Sequence, residues 1–266
     1  MQHALIRFLA QLFSKRYFYY LGRILYHISL RMMGIGNYEN SRISGELHVL
    51  HLINKEFGSK KMVVFDVGSH QGEYARVALS IFPNANLHCF EPMENSFKKL
   101  KQNLPSLPNV HLNNLAVSDT IGKLELWDYK NQEGSQHTSA YKNVFNNDFT
   151  KKYSVGKISL DFYLKKNKLK AIDFLKIDVE GQEYQVLDGL NNYLSKTQFI
   201  QFEFNYMNVY SGHFFRDFYQ LLNKEFDIFR LYPNQLLPIK KYDPTQHEIF
   251  YFQNILAVNK KLKWQI

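Results

Sequence analysis

Residues 62–79, MVVFDVGSHQGEYARVAL, constrain the fold more than any other stretch of the chain. Residues 62–67 are a short apolar run rich in β-branched side chains, as suits a strand buried on both faces of a parallel sheet. In residues 73–82, Ala75, Ala78 and Leu79 recur at helical spacing. Between the two lies Asp66-Val-Gly-Ser-His-Gln-Gly72: a carboxylate at the strand end, two glycines four apart, then a helix start. The glycines let backbone approach a ligand closely. The helix start offers unpaired N–H groups and partial positive charge. Open α/β sheets bind ligands at this place, beyond the carboxyl ends of their strands.

The glycine spacing narrows the ligand. A dinucleotide loop needs three glycines, G-x-G-x-x-G, so that backbone can press on a pyrophosphate. Here Gly68 and Gly72 stand alone, with Ser69 and His70 between them and an acid just before. That acid would repel a pyrophosphate and suits a cationic or zwitterionic ligand. S-adenosylmethionine, with its ammonium and sulfonium, is one. A tight strand–helix turn without a ligand is the plain alternative.

The chain has 266 residues, enough for one large domain with an extension. Its 45% hydrophobic content excludes a disordered chain. The single cysteine, Cys89, excludes an internal disulfide and a cysteine zinc site, and fits a cytoplasmic location. The formal net charge of +9 could serve nucleic acid, anionic lipid or acidic glycan. No long basic run, zinc finger or RNA-binding aromatic signature is present, so nucleic acid is not expected as a partner.

Residues 1–43 read as an N-terminal helical extension and residues 44–266 as the main domain. Arg7, Lys15, Arg16, Arg23 and Arg31 precede the first acid, Glu39. Charges interrupt every apolar run well short of the ~18–20 residues of a membrane span. Amphipathic helices packed on the domain are the first expectation for residues 1–34. A peripheral contact with an anionic membrane or a second subunit is the sharper one. Ser44 is placed to cap a helix over 45–57 closed by Gly58.

Beyond the glycine loop, strands are expected at 86–91, 109–117, 122–127, 157–160, 172–178, 199–204, 227–232 and 249–258, with helices between most of them. Asp161 is expected to cap the helix after 160. Residues 129–156 are polar, either a lid or a surface loop. The alternation implies an α/β, doubly wound, mostly parallel sheet with helices on both faces. Asp66, Glu91 and Asp178 all fall at strand ends on one rim.

FDVGSHQGEYA at 65–75, CFEPMENSFKKL at 89–100, NNLAVSD at 113–119 and LKIDVEGQEYQVLDGL at 175–190 together resemble the FkbM family of S-adenosylmethionine-dependent methyltransferases. SGE at 44–46 and FEF at 202–204 fit as well. The resemblance covers about residues 44–205. It implies a Rossmann-like class I methyltransferase fold with a seven-stranded sheet, and O-methylation of a sugar, glycan or natural-product hydroxyl. Carried onto this chain, Asp66, Gly68 and Gly72 would hold the methionine part of the donor and Glu91 its ribose. Asn114, Ala116, Val117 and Asp119 would border the adenine. Asp178 and Glu180 would face the methyl group and the acceptor.

An alcohol needs a proton acceptor as it attacks carbon. Asp178, Glu180, Glu203 and His213 are the candidates. Mg²⁺ on Asp178 and Glu180 is a further option but not the expectation, and no metal site is assigned. Two other classes compete: a nicotinamide-dependent oxidoreductase on a similar sheet, and a non-catalytic subunit that binds S-adenosylmethionine or a glycan.

Overall fold

A computed structural model of the chain describes residues 2–264, apart from 59, 105, 131–133, 136 and 145–149. The strands, in chain order, are β1 (Val63–Val67), β2 (Asn86–Phe90), β3 (Val110–Asn113), β4 (Ala116–Val117), β5 (Gly122–Tyr129), β6 (Thr150–Ile158), β7 (Ile172–Ile177), β8 (Thr197–Phe204), β9 (Phe226–Tyr232), β10 (Gln235–Pro238) and β11 (Gln253–Asn259). The helices are α1 (Gln2–Leu12), α2 (Tyr19–Met32), α3 (Glu46–Phe57), α4 (Glu73–Ile81), α5 (Glu94–Asn103), α6 (Leu160–Lys166), α7 (Glu183–Asp188), α8 (Met207–Ser211), α9 (Phe215–Leu222) and α10 (Pro244–His247).

The main sheet runs β10-β9-β11-β8-β7-β1-β2-β3. Strands β3, β2, β1, β7 and β8 pair in parallel, and β11 lies antiparallel to both β8 and β9. The sheet therefore has eight strands where seven are expected. The extra one is β10, an edge strand folded back on β9 after a two-residue turn. Pro238 is tolerated there because an edge strand leaves one row of N–H groups unpaired anyway.

Alternation along the strands sorts side chains to two apolar layers. Phe65, Phe90, Leu175, Ile177 and Phe202 pack with Leu160, Tyr163 and Leu164 of α6, Val186 and Leu187 of α7, and Phe215, Phe218 and Leu222 of α9. Val64, Leu87, Phe174 and Phe199 pack on the other side with Val49, Leu50 and Ile53 of α3, Ala75 and Ala78 of α4, and Phe97 and Leu100 of α5. The chain runs outward from β1 to β2 and β3, then crosses back to β7 on the other side of β1. That reversal opens a crevice at the carboxyl ends of β1 and β7.

Several local expectations shift. The strand expected at 109–117 divides: β3 stays in the main sheet, whereas β4 joins a second sheet of order β4-β6-β5. The strand expected at 157–160 is the end of the long β6, antiparallel to β5. Gly45, at φ 85, caps α3, and the Ser44 hydroxyl instead bonds Glu46 Oε2 at 2.9 Å. The Ser159 side chain, not Asp161, accepts from the N–H of Phe162 at the start of α6. The last strand starts at Gln253 rather than 249. Of the polar stretch 129–156, residues 131–133, 136 and 145–149 lie outside the described residues.

Among the described residues no helix is long and apolar enough to cross a membrane. Helices α1 and α2 precede the sheet, and in α2 only Leu30 is buried.

Gly68 fixes the crossing of β1 and β7. Its φ is 85, and a Cβ built on it would stand 1.7 Å from the Asp178 carbonyl oxygen. Both the conformation and the space exclude a side chain. Gly68→Ala is expected to lower unfolding free energy by about 3 kcal/mol or more, readable by urea denaturation.

Candidate functional site

The crevice is a cleft of about 970 Å³, within the range of small-molecule and cofactor sites. Its floor is a row of polar side chains in register across three parallel strands. Asp66 on β1 is paired with Lys176 on β7, and Lys176 with Gln201 on β8. Successive residues alternate faces, so these three share the face that α3 and α4 cover.

Lys176 is buried, and its Nζ lies 3.0 Å from Asp178 Oδ2 and 3.7 Å from Glu46 Oε1. It also sits over the Tyr74 ring at 5.1 Å. The carboxylates of Asp178, Glu46 and Asp66 hold its pKa above the usual lysine range against the cost of burial. Gln201 Nε2 donates to Glu46 Oε1 at 3.0 Å. Asp66 is buried, with its Oδ2 unpartnered within the protein. Burial pushes its pKa up to about 6, opposed by Lys176.

At the end of β2, Glu91 folds back on the glycine loop. Its Oε2 accepts from the His70 N–H at 2.9 Å and its Oε1 from the Met93 N–H at 2.8 Å. Each oxygen keeps a lone pair, so the carboxylate can still take two adjacent donors such as a vicinal diol. Burial raises its pKa to about 7, against those two backbone bonds. His70 has φ 46, a conformation that non-glycine residues rarely hold. Its Nε2 lies 3.0 Å from the Gly134 carbonyl, which also accepts from Ser96 Oγ.

Gly134 is therefore tied to the glycine loop. Asp128, fully buried, anchors it by accepting from the N–H groups of Gly134 (2.7 Å) and Ser135 (3.0 Å). Ser135, His137 and Thr138 line the cleft with Leu124 and Leu126 of β5.

The far end of the cleft is acidic. Asp178, Glu180 and Glu203 line it together with Asn205 and Tyr206. Glu183 shapes the loop that carries the first two, because its Oε1 accepts from the N–H groups of Val179 and Gly181, both at 3.1 Å. Ser139 Oγ donates to the Glu180 carbonyl at 2.8 Å. Asn205 Nδ2 donates to Glu203. Burial, then the Glu203 charge, then Asp178, push the Glu180 pKa well above the carboxylate range. Glu203 is raised likewise, by burial and then Asp178. Among the described residues no group of three or more His, Cys, Asp or Glu side chains is placed to hold a metal ion.

Of the residues singled out from sequence, Asp66, Gly68, Ser69, His70, Glu91, Ala116, Val117, Asp178, Glu180 and Glu203 line this one cleft. Four do not. Gly72 caps α4, and a Cβ on it would lie 2.7 Å from Leu100 Cδ1, so its smallness serves packing. Asn114 Nδ2 donates to the carbonyls of Glu91 and Pro92, steadying the turn behind Glu91. Asp119 is 2.9 Å from Lys157 Nζ. His213 stacks on Tyr184 at 4.1 Å. Sequence reasoning gave no role to Lys176, Glu46, Asp128, Glu183 or Asn205. A signal existed for Lys176, since a lysine inside an apolar strand needs a buried partner. None existed for Asp128, whose partners lie in an irregular loop.

Residues 66–229 match the family model described as the methyltransferase FkbM domain. The chain is 30% identical over 163 residues to the 2-O-methyltransferase NoeI of Sinorhizobium fredii, a match covering 56% of this chain and 66% of that protein. It is 24% identical over 159 residues to the hexuronic acid methyltransferase AglP of Haloferax volcanii, covering 59% of this chain and 62% of that one. The matched region thus spans just under two thirds of either relative. Among solved structures, a methyltransferase FkbM from Methylobacillus flagellatus superposes with a TM-score of 0.47 at 11% identity, over 74% of this chain and 43% of that one.

Glu91 and Glu183 each have a folded-state pKa of about 7, against an ordinary 4.5. A raised carboxyl pKa means the folded state binds the proton more tightly than the unfolded state. The associated stability is full below pH 4.5 and is lost as pH rises through 7. Replacing Glu91 by Gln removes its share, up to about 3 kcal/mol. Urea unfolding at pH 5 and pH 7 should show a smaller loss of stability in Glu91→Gln than in the wild type. Equal losses would place the Glu91 proton elsewhere.

Proposed function

The chain belongs to the FkbM methyltransferase family, and from that premise we propose that it transfers the methyl group of S-adenosylmethionine to a hydroxyl of a neutral, sugar-like acceptor. The observation that carries this reading is the division of one cleft into two ends. One end pairs Asp66 with Glu91 beside the glycine loop. The other gathers Asp178, Glu180 and Glu203. Family membership displaces the nicotinamide reading weighed from sequence.

The residues fit the donor. Glu91 would accept from both ribose hydroxyls with its remaining lone pairs. Asp66, with a buried Oδ2 lacking a partner, would take the ammonium of the methionine part. Ala116, Val117 and Leu115 offer an apolar wall for the adenine. When bound, the donor supplies a methyl group on a positively charged sulfur. The protein's task is then to hold an acceptor oxygen in line with it.

The acid end has two roles to fill. Asp178, with one oxygen occupied by Lys176, is oriented to accept a hydroxyl hydrogen bond on the other. Among the described residues Glu180 and Glu203 have no such cation at hydrogen-bond distance, and burial raises both above the carboxylate range, which makes either a stronger proton acceptor than an exposed carboxylate. The pair is therefore assigned the proton that the hydroxyl loses. The exposed rings of Tyr38 and Tyr206 stand at the mouth and can pack against a sugar face. A wall of three carboxyl groups favours a neutral acceptor over a carboxylated one. The name of AglP supports a sugar as the acceptor class, although the sugar it names is an acidic one.

Calorimetry is expected to show S-adenosylmethionine binding in the wild type and its loss in Glu91→Ala. Glu180→Gln should bind the donor within a few-fold of wild type. It should lose on the order of 10²–10⁴ in turnover, the scale of a general base. Donor binding without transfer to any tested neutral glycan would favour the non-catalytic binding subunit. Normal turnover of Glu180→Gln would move the proton to Glu203 or Asp178.

A further inference from the structure

We propose that α1 and α2 form a basic amphipathic anchor that seats the protein on an anionic lipid bilayer, with the mouth of the cleft beside the bilayer. Leu21, Ile24, Leu25, Ile28 and Met32 recur on one face of α2, and their exposure runs from 47% to 74%. Phe8, Leu9 and Leu12 of α1 and Phe13 just beyond it are exposed too. An apolar face this continuous is unusual on a surface that stays in water. Neither helix can span a bilayer, so the geometry is that of a helix lying in the interface.

Charge decides between a bilayer and a second copy. Arg7, Lys15, Arg16, Arg23 and Arg31 belong to this segment, and no acid occurs before Glu39. On α2, helical spacing puts Arg31 about a quarter turn from the apolar face and Arg23 on the far side from it. A two-fold contact between copies would bring like charges together with no carboxylate within the segment to meet them. Arg31 is already met by Glu39, and anionic headgroups supply countercharge for Arg7, Lys15, Arg16 and Arg23. Tyr17, Tyr19, Tyr20 and Tyr26, all exposed, suit the headgroup layer, where an apolar ring carries a polar tip.

The anchor is fixed to the cleft. Leu30 and Ile35 are buried, and the Gly36 N–H donates to the Phe252 carbonyl at 2.6 Å. Arg31 pairs with Glu39, and the His27 ring meets Tyr251 at 6.1 Å. Tyr38, Glu39, Tyr251 and Phe252 line the mouth. A bilayer under α2 thus lies next to the acceptor's way in, and on the functional reading above it would present a lipid-borne saccharide.

The test is co-sedimentation of the full chain with vesicles of phosphatidylcholine alone and of phosphatidylcholine with phosphatidylglycerol. Binding is expected to the second only, to weaken with salt, and to fall about tenfold or more when Ile24→Glu and Ile28→Glu are combined. Both positions are exposed, so the fold is kept, and unchanged S-adenosylmethionine binding by the double variant checks it. With brominated lipid in the vesicles, Tyr38→Trp should be quenched relative to the parent. Wild-type protein left in the supernatant of both vesicle types would overturn the proposal, as would a stable dimer that the double variant splits into monomers. Vesicle binding without quenching at position 38 would overturn the placement of the mouth. Loss of S-adenosylmethionine binding in the wild type would instead strike the functional reading and leave the vesicle result standing.

Discussion

Everything at the rim depends on one buried cation. Lys176 stands in the middle strand of an apolar sheet, and a buried ammonium is tolerated only with carboxylates and hydrogen bonds around it. It draws Asp178 from the loop after its own strand, Glu46 from α3 and the field of Asp66 from β1. Those three acids come from three elements, so satisfying one charge fixes the relative placement of strand, loop and helix. The same charge holds one acid of the far cluster in place, whereas burial raises Glu180 and Glu203 despite it. A single electrostatic requirement thus sets both the packing of α3 and the position of Asp178 at the rim.

Backbone constraints work alongside it. Gly68 lets β1 turn within contact of the Asp178 carbonyl, and the N–H of Asp178 donates back to the Val67 carbonyl at 2.9 Å. The N–H groups of Gly68 and Ser69 are both spent on the Phe90 carbonyl. The glycine loop is therefore stitched to the ends of β2 and β7 before any ligand arrives. Little of its backbone polarity is left for phosphate, which agrees with a loop of two glycines rather than three.

The strand–helix alternation and the rim of acids were legible because they rest on local signals: apolar runs, helical spacing, and glycines beside a carboxylate. What was not legible depended on distant partners. Gly72 looked like a ligand-binding glycine, yet its neighbour is Leu100, twenty-eight positions away. Asn114 and Asp119 sit where an adenine edge was expected, but their side chains are consumed by local carbonyls and by Lys157. The β-run at 109–117 read as one strand because composition does not reveal that β4 leaves the main sheet to pair with β6. Lys176 could have been found by asking what a lysine does inside IDFLKID, whereas Asp128 needs the fold of its loop.

The charge of the molecule is divided in a way that bears on turnover. The chain carries a formal +9, yet the cleft presents Asp66, Glu91, Asp178, Glu180 and Glu203 around Lys176. A basic exterior is attracted to anionic surfaces, while an acidic interior favours a ligand with a positive centre. Methyl transfer from a sulfonium leaves a neutral thioether, so the product of the proposed reaction would keep an ammonium contact with Asp66 but lose its attraction to the acid end. In the proposed reaction the proton lost by the hydroxyl would lower the negative charge there at the same step, once Glu180 or Glu203 took it up. On that reading the same chemistry that consumes the donor would weaken the field that held it, and the acid cluster would favour donor over product without any rearrangement of the fold.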